Sequence, residues 1–167
     1  MKVINFNPLG KTFSFRLTEN TCSRCKVGSC PLDLKSVSEI KNFEYDGDYI
    51  QRGSAEYCLD LGKKILNQSL HAITQIQVYY YKNCNHYDFN DGQHRTCVTA
   101  HLMQKNVNIE LPVKYYEIKG KCPYCKNKEE HSFQINISGQ FIRRLCDEEQ
   151  ENEDCGFLYA FEEKDEL

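Results

Sequence analysis

The chain has 167 residues, of which 40% are apolar and 27% charged, so it is long enough to bury roughly two-thirds of its unfolded surface in a core of its own. A net charge of −3 argues against a generic polyanion binder. No apolar run approaches the ~20 residues that a membrane-spanning helix needs. The composition fits one domain over 1–167, divisible into a mixed α/β half (1–70) and a β-rich half with an acidic C-terminal tail (71–167).

In chain order, Lys2 to Phe6 and Thr12 to Leu17 read as a β-hairpin. Phe13, Phe15 and Leu17 alternate onto one face, and Asn7-Pro8-Leu9-Gly10 supplies turn residues. With Gly10-Lys11-Thr12 at the turn exit, this segment resembles the first hairpin of ubiquitin, over about a tenth of the chain. The resemblance stops at Cys22, where a cysteine cluster replaces the amphipathic helix of that fold. A capping box, Ser36-Val37-Ser38-Glu39, predicts a short helix carrying Ile40 and Phe43. Cys58, Leu61, Ile65, Leu66 and Leu70 predict a second helix from Ser54 to about Leu70, interrupted by Gly62. Strands are then expected over 72–82, 95–103, 107–111, 115–119, 132–137 and 156–161, from period-two alternations such as Val98, Ala100 and Leu102. The expected fold class is mainly β with one or two helices (α+β), as an antiparallel sandwich or small barrel pinned by zinc-binding loops.

Ten cysteines are the unusual feature. Met1 to Pro8 contains no apolar stretch of signal-peptide length, so the expected compartment is cytosol or nucleus. There thiols stay reduced, and clustered cysteines act as metal ligands. The minority reading is the ER lumen. The chain ends in the retention-type tetrapeptide Lys164-Asp165-Glu166-Leu167, and Asn67-Gln68-Ser69 and Asn136-Ile137-Ser138 match the glycosylation acceptor pattern.

Cys22-Ser23-Arg24-Cys25 and Cys122-Pro123-Tyr124-Cys125 are CxxC pairs, each able to set two sulfurs ~2.3 Å from one zinc ion. The candidate zinc ligands are Cys22, Cys25, Cys30, Cys58, Cys84, Cys97, Cys122 and Cys125, and more than one zinc equivalent per chain is expected. Cys30 follows the first pair as in a retroviral-type zinc knuckle, but that family's pattern fails at Cys30 and Lys35. Cys58 is either the remaining ligand of that group or a buried core thiol. Cys84 and Cys97 are the natural complement of Cys122 and Cys125, His86 could replace a cysteine, and a site joining the two CxxC pairs to each other stays open. His101 lies four residues after Cys97, which on the expected strand puts the two about 13 Å apart and excludes a shared ion. His71, His94 and His131 read as surface or hydrogen-bonded core residues. Cys146 and Cys155 read as unligated thiols.

Cys122-Pro123-Tyr124-Cys125 also resembles the active-site tetrapeptide of glutaredoxins, which implies thiol–disulfide exchange at Cys122. In that family the pair opens a helix after a buried apolar strand, whereas here polar residues Lys126 to Glu130 follow. No zinc-deaminase motif, phosphate loop or nucleophile elbow is present. The expectation is therefore a non-enzymatic zinc-stabilised module serving a protein partner, with no small-molecule substrate and no membrane. The alternatives are a thiol–disulfide oxidoreductase and a single-stranded nucleic-acid binder. The latter would use Lys114, Tyr115, Tyr116, Lys121 and Tyr124, because aromatic platforms with a cationic rim are what single strands require.

Overall fold

A computed structural model describes residues 2–18, 20–68, 76–122, 124–125 and 157–161. The expected strand over 132–137, the acidic stretch from Asp147 to Asp154, His71, His131, Cys146, Cys155 and the C-terminal tetrapeptide lie outside the described residues.

Six strands form one mixed sheet: β1 (Lys2–Asn5), β2 (Thr12–Phe15), β3 (Gln77–Tyr81), β4 (His86–Asp91), β5 (Pro112–Ile118) and β6 (Phe157–Ala160), in the order β1-β5-β3-β4-β2-β6. Among the described residues five helices accompany it: α1 (Ser23–Val27), α2 (Pro31–Leu34), α3 (Val37–Lys41), α4 (Ala55–Leu66) and α5 (Gln93–Met103). The chain is α+β, but neither the expected mainly-β balance with one or two helices nor the antiparallel sandwich or barrel holds. The sheet is single and open, and two of its pairings, β3 with β5 and β2 with β4, are parallel. A parallel pair needs a crossover connection. Between β3 and β5 that crossover contains α5, the segment expected to be a strand.

The misreading of α5 has a physical cause. His94, Thr96, Val98, Thr99, Ala100, His101 and Leu102 are all buried, so the helix is covered nearly all round. A helix enclosed on all sides carries no apolar stripe to betray its 3.6-residue period. Val98, Ala100 and Leu102 then imitate a strand, and the β-branched Thr96, Val98 and Thr99 reinforce that signal. Ala100 faces the sheet core, while Val98 and Leu102 face the other helices.

The expected N-terminal hairpin is also replaced. β1 pairs with β5 at one edge, with Lys2 opposite Tyr115, whereas β2 lies between β4 and β6. The connection spans this separation by burying Phe6, whose ring meets Phe13 edge-on at 6.1 Å and Tyr87 at 5.6 Å. Residues 107–111 form no strand; Val107 and Ile109 pack onto the helical layer. The helix starts follow their local signals. The Ser36 hydroxyl accepts from the Glu39 N–H while the Glu39 carboxylate accepts from the Ser36 N–H at 2.8 Å, and the Ser54 hydroxyl accepts from the Tyr57 N–H at 3.1 Å.

Two apolar clusters result. One, on the sheet, contains Phe13, Phe15, Val78, Phe89, Val113 and Phe161, with Phe13 and Phe89 stacked at 5.2 Å. The other joins α2, α3, α4 and α5 through Leu32, Ile40, Leu59, Leu61, Ile65, Val98 and Leu102. Gly62 belongs to this contact: a Cβ there would stand 2.8 Å from Ile40 Cγ2, so α3 and α4 approach closely because that position has no side chain. Among the described residues no helix is long and apolar enough to cross a membrane.

Candidate metal centre

The tight turn between β3 and β4 carries Cys84, and Asn85 takes φ +54 before His86 opens β4. Asn tolerates this left-handed conformation better than most residues. Because β5 runs parallel to β3, the chain leaving β5 emerges beside that turn. Lys82 N–H donates to the Ile118 carbonyl at 3.1 Å, and Asn83 N–H to the Gly120 carbonyl at 3.2 Å. Cys122 and Cys125 therefore arrive next to Cys84 and His86.

The ligand atoms of Cys84, His86, Cys122 and Cys125 all lie within 4.8 Å of one another. His86 Nδ1 is 3.5 Å from Cys122 Sγ and 3.2 Å from Cys125 Sγ. A tetrahedral zinc ion with arms of ~2.3 Å to sulfur and ~2.0 Å to nitrogen sets sulfurs about 3.8 Å apart and nitrogen about 3.5 Å from each sulfur. The four side chains thus already enclose a metal-sized space. The Cys122 N–H donates to Cys84 Sγ at 3.3 Å and ties the two cysteines together. Cys122 is fully buried, and that burial pushes its thiol up in pKa, the reverse of what an attacking thiolate requires. The cluster can hold a metal ion.

The expected complement was Cys84 with Cys97. Cys84 is present, but Cys97 is carried away on α5, and His86 completes the set. His86 was legible as a substitute from its position two residues after Cys84 in a turn.

Cys97 belongs to a second group, at the seam between the sheet core and the helical layer. Cys22, Cys30, Cys58, Cys97 and His101 line one small cavity of about 30 Å³, walled by Phe15, Leu32 and Val98. Several contacts hold its rim. Thr18 carbonyl accepts from the Thr21 and Cys22 N–H groups, forming the turn that presents Cys22. His94 Nε2 lies 2.6 Å from the Thr21 carbonyl and ties that turn to the start of α5. Gly53, at φ +83, lies against the Thr21 backbone, where a Cβ would meet atoms within 2.5 Å. Cys25 Sγ donates to the Leu17 carbonyl at 3.7 Å. A hydrogen bond with Cys25 is the main reason the Cys22 thiol is lowered to about 6. Burial raises the Cys58 thiol.

Because residues 95–103 are helical, Cys97 and His101 stand on one face, one turn apart. The exclusion of His101 as a ligand rested on a strand that is not there. His101 Nδ1 is 2.9 Å from Asp33 Oδ1, and Arg24 donates to the other carboxylate oxygen of Asp33. Burial alone would lower the His101 pKa; hydrogen bonds with Asp33, Cys30 and Cys97 outweigh it and raise the value well above normal. Cys30 Sγ, a carboxylate oxygen of Asp33 and a ring nitrogen of His101 lie within 4.8 Å of one another.

The proposed nucleic-acid residues are largely occupied within the fold. Tyr124 is buried. Tyr116 stacks on Tyr79 at 5.0 Å, and Tyr115 stacks on Tyr80 with Lys2 over its ring at 5.3 Å. Lys114 and Lys121 are half-buried. No family model, curated protein or solved structure matches the chain.

Proposed function

We propose that this chain is a non-catalytic, zinc-stabilised module that serves as a protein-interaction or assembly subunit. The observation that carries the metal half of this reading is the convergence of Cys84, His86, Cys122 and Cys125. Cysteine and imidazole in a four-ligand tetrahedral set suit zinc, and four protein ligands leave no open position for a water or substrate. Such a site is structural. Its role here follows from its place: it clamps the β3–β4 turn to the end of β5 and so fixes the parallel pairing of β3 with β5.

Support for a protein partner comes from the surface. Tyr45 and Tyr49 are exposed on the segment between α3 and α4, with the Tyr45 hydroxyl donating to the Tyr49 carbonyl at 3.2 Å. Exposed tyrosines of this kind are frequent interface anchors. The nucleic-acid reading is weaker, since stacked and buried tyrosines offer few free faces to bases.

The test is metal analysis of the purified chain, followed by partner capture with parent and Tyr49→Ala protein. Zinc should be present and should fall by one equivalent in Cys122→Ser. A defined protein partner should be retained by the parent and weakened by Tyr49→Ala. Zinc content unchanged in Cys122→Ser would refute the metal half. Tight binding of a fluorescent oligonucleotide, with no protein partner, would replace the binding half by the nucleic-acid reading.

A further inference from the structure

We propose a second zinc centre, formed by Cys22, Cys30, Cys97 and His101, which staples the helical layer to the sheet. It is independent of the first site, shares no residue with it and lies on different elements.

Four observations carry it. Cys97 and His101 stand one turn apart on α5, a spacing at which two side chains reach the same point. Cys30, immediately before α2, is within 4.8 Å of the His101 ring. Cys22, Cys30, Cys97 and His101 all line the same small cavity, together with Cys58 and the apolar Phe15, Leu17, Leu32 and Val98. Finally, Asp33 Oδ1 sits 2.9 Å from His101 Nδ1. That contact takes one ring nitrogen and leaves Nε2 as the ligating atom. A carboxylate behind a metal-bound histidine is the usual device for fixing its tautomer and raising its basicity. Arg24 in turn holds the far oxygen of Asp33.

Three thiolates and an imidazole make a closed tetrahedral set, so this site too is structural rather than catalytic. Cys25 donates to the Leu17 carbonyl and does not line the cavity; Cys58 does line it, and Cys58→Ser should keep both zinc ions. Asp33 is a positioning residue.

Zinc stoichiometry of the reduced full-length chain is the primary readout. The parent should hold two zinc ions. Cys97→Ser and His101→Ala should each hold one, and so should the Cys122→Ser/Cys125→Ser double variant, which empties only the first site. His101→Cys should restore two. Because a ligand variant can fail to fold, cobalt substitution of the parent gives a second measurement. Thiolate-to-cobalt absorption should saturate at two equivalents, with a tetrahedral visible spectrum at both. Asp33→Asn should keep two zinc ions while weakening one of them about 10–100-fold against a competing chelator. A parent holding a single zinc that disappears in the Cys122→Ser/Cys125→Ser variant would overturn this centre and leave the first intact. So would a Cys22–Cys25 disulfide in the freshly purified protein, or retention of both ions in Cys97→Ser.

Discussion

At the scale of single residues, the two sites differ from ordinary buried cysteines in what surrounds the sulfur. Cys122 has an imidazole nitrogen at 3.5 Å and its own N–H on a second sulfur, where a core thiol would have only methyl groups. Replacing Cys122 by Ser should therefore remove one zinc equivalent and lower Tm by about 10 °C, what ~3–5 kcal/mol amounts to in a chain of this size. His86→Cys should keep the zinc, which separates loss of a ligand from loss of packing. Calorimetry with parallel zinc analysis checks both. A different residue-level test concerns Glu39. Its carboxyl is lowered from the ordinary 4.5 to about 2, first by the Ser36 N–H and then by Lys35 and the Ser36 hydroxyl. The folded value lies below the unfolded one, so its stabilising effect is complete above about 4.5 and is lost as pH falls toward 2. Glu39→Gln should be less stable than the parent at pH 6 and equal to it near pH 2. Thermal melts across that range would show the gap closing. His86 and the CxxC pairs were readable in the sequence because turn position and spacing are local. Asp33 and His101 were not, since their meeting depends on α2 packing against α5.

At the scale of elements, the helices that announce themselves are the ones with caps and a polar face. α3 has its capping box, and α4 has Ser54 and an apolar stripe broken only by Gly62. α5 has Gly92 before it and no side-chain cap, and it is buried around most of its circumference. Its sequence carries the code of its surroundings rather than of its own periodicity. Gly62 illustrates the same point. Helix propensity alone makes Gly62→Ala stabilising by about 1 kcal/mol. The 2.8 Å approach to Ile40 Cγ2 predicts the opposite, a loss of about 1–3 kcal/mol as α3 and α4 are forced apart. Urea denaturation decides the sign. Ser54→Ala should cost about 1 kcal/mol through the lost Tyr57 N–H bond, with no change in zinc content.

At the scale of the whole molecule, the zinc proposed at Cys84, His86, Cys122 and Cys125 should tie the end of the sheet together. Emptying that site alone, in the Cys122→Ser/Cys125→Ser variant, should leave the phenylalanine cluster folded and loosen the end of the sheet where β3, β4 and β5 meet. Hydrogen exchange should then rise first at Lys82 and Asn83, whose N–H groups bond to Ile118 and Gly120, while Val78 and Val113 stay protected. Uniform exchange throughout the chain would mean that zinc holds the entire fold. The strand order was beyond the sequence for a physical reason: alternation tells which residues share a face but not which strand lies alongside. That order also has a temporal side. The Asn5 side chain accepts from the Leu111 N–H across a separation of 106 residues, and β2 takes its outer neighbour from still later in the chain. At ~5–20 residues per second, a ribosome needs roughly 5–20 s to deliver the partner that β1 awaits. β2 gains β4 sooner, so Phe13 and Phe15 wait for a neighbouring strand only until residues 86–91 emerge, while β1 waits for β5.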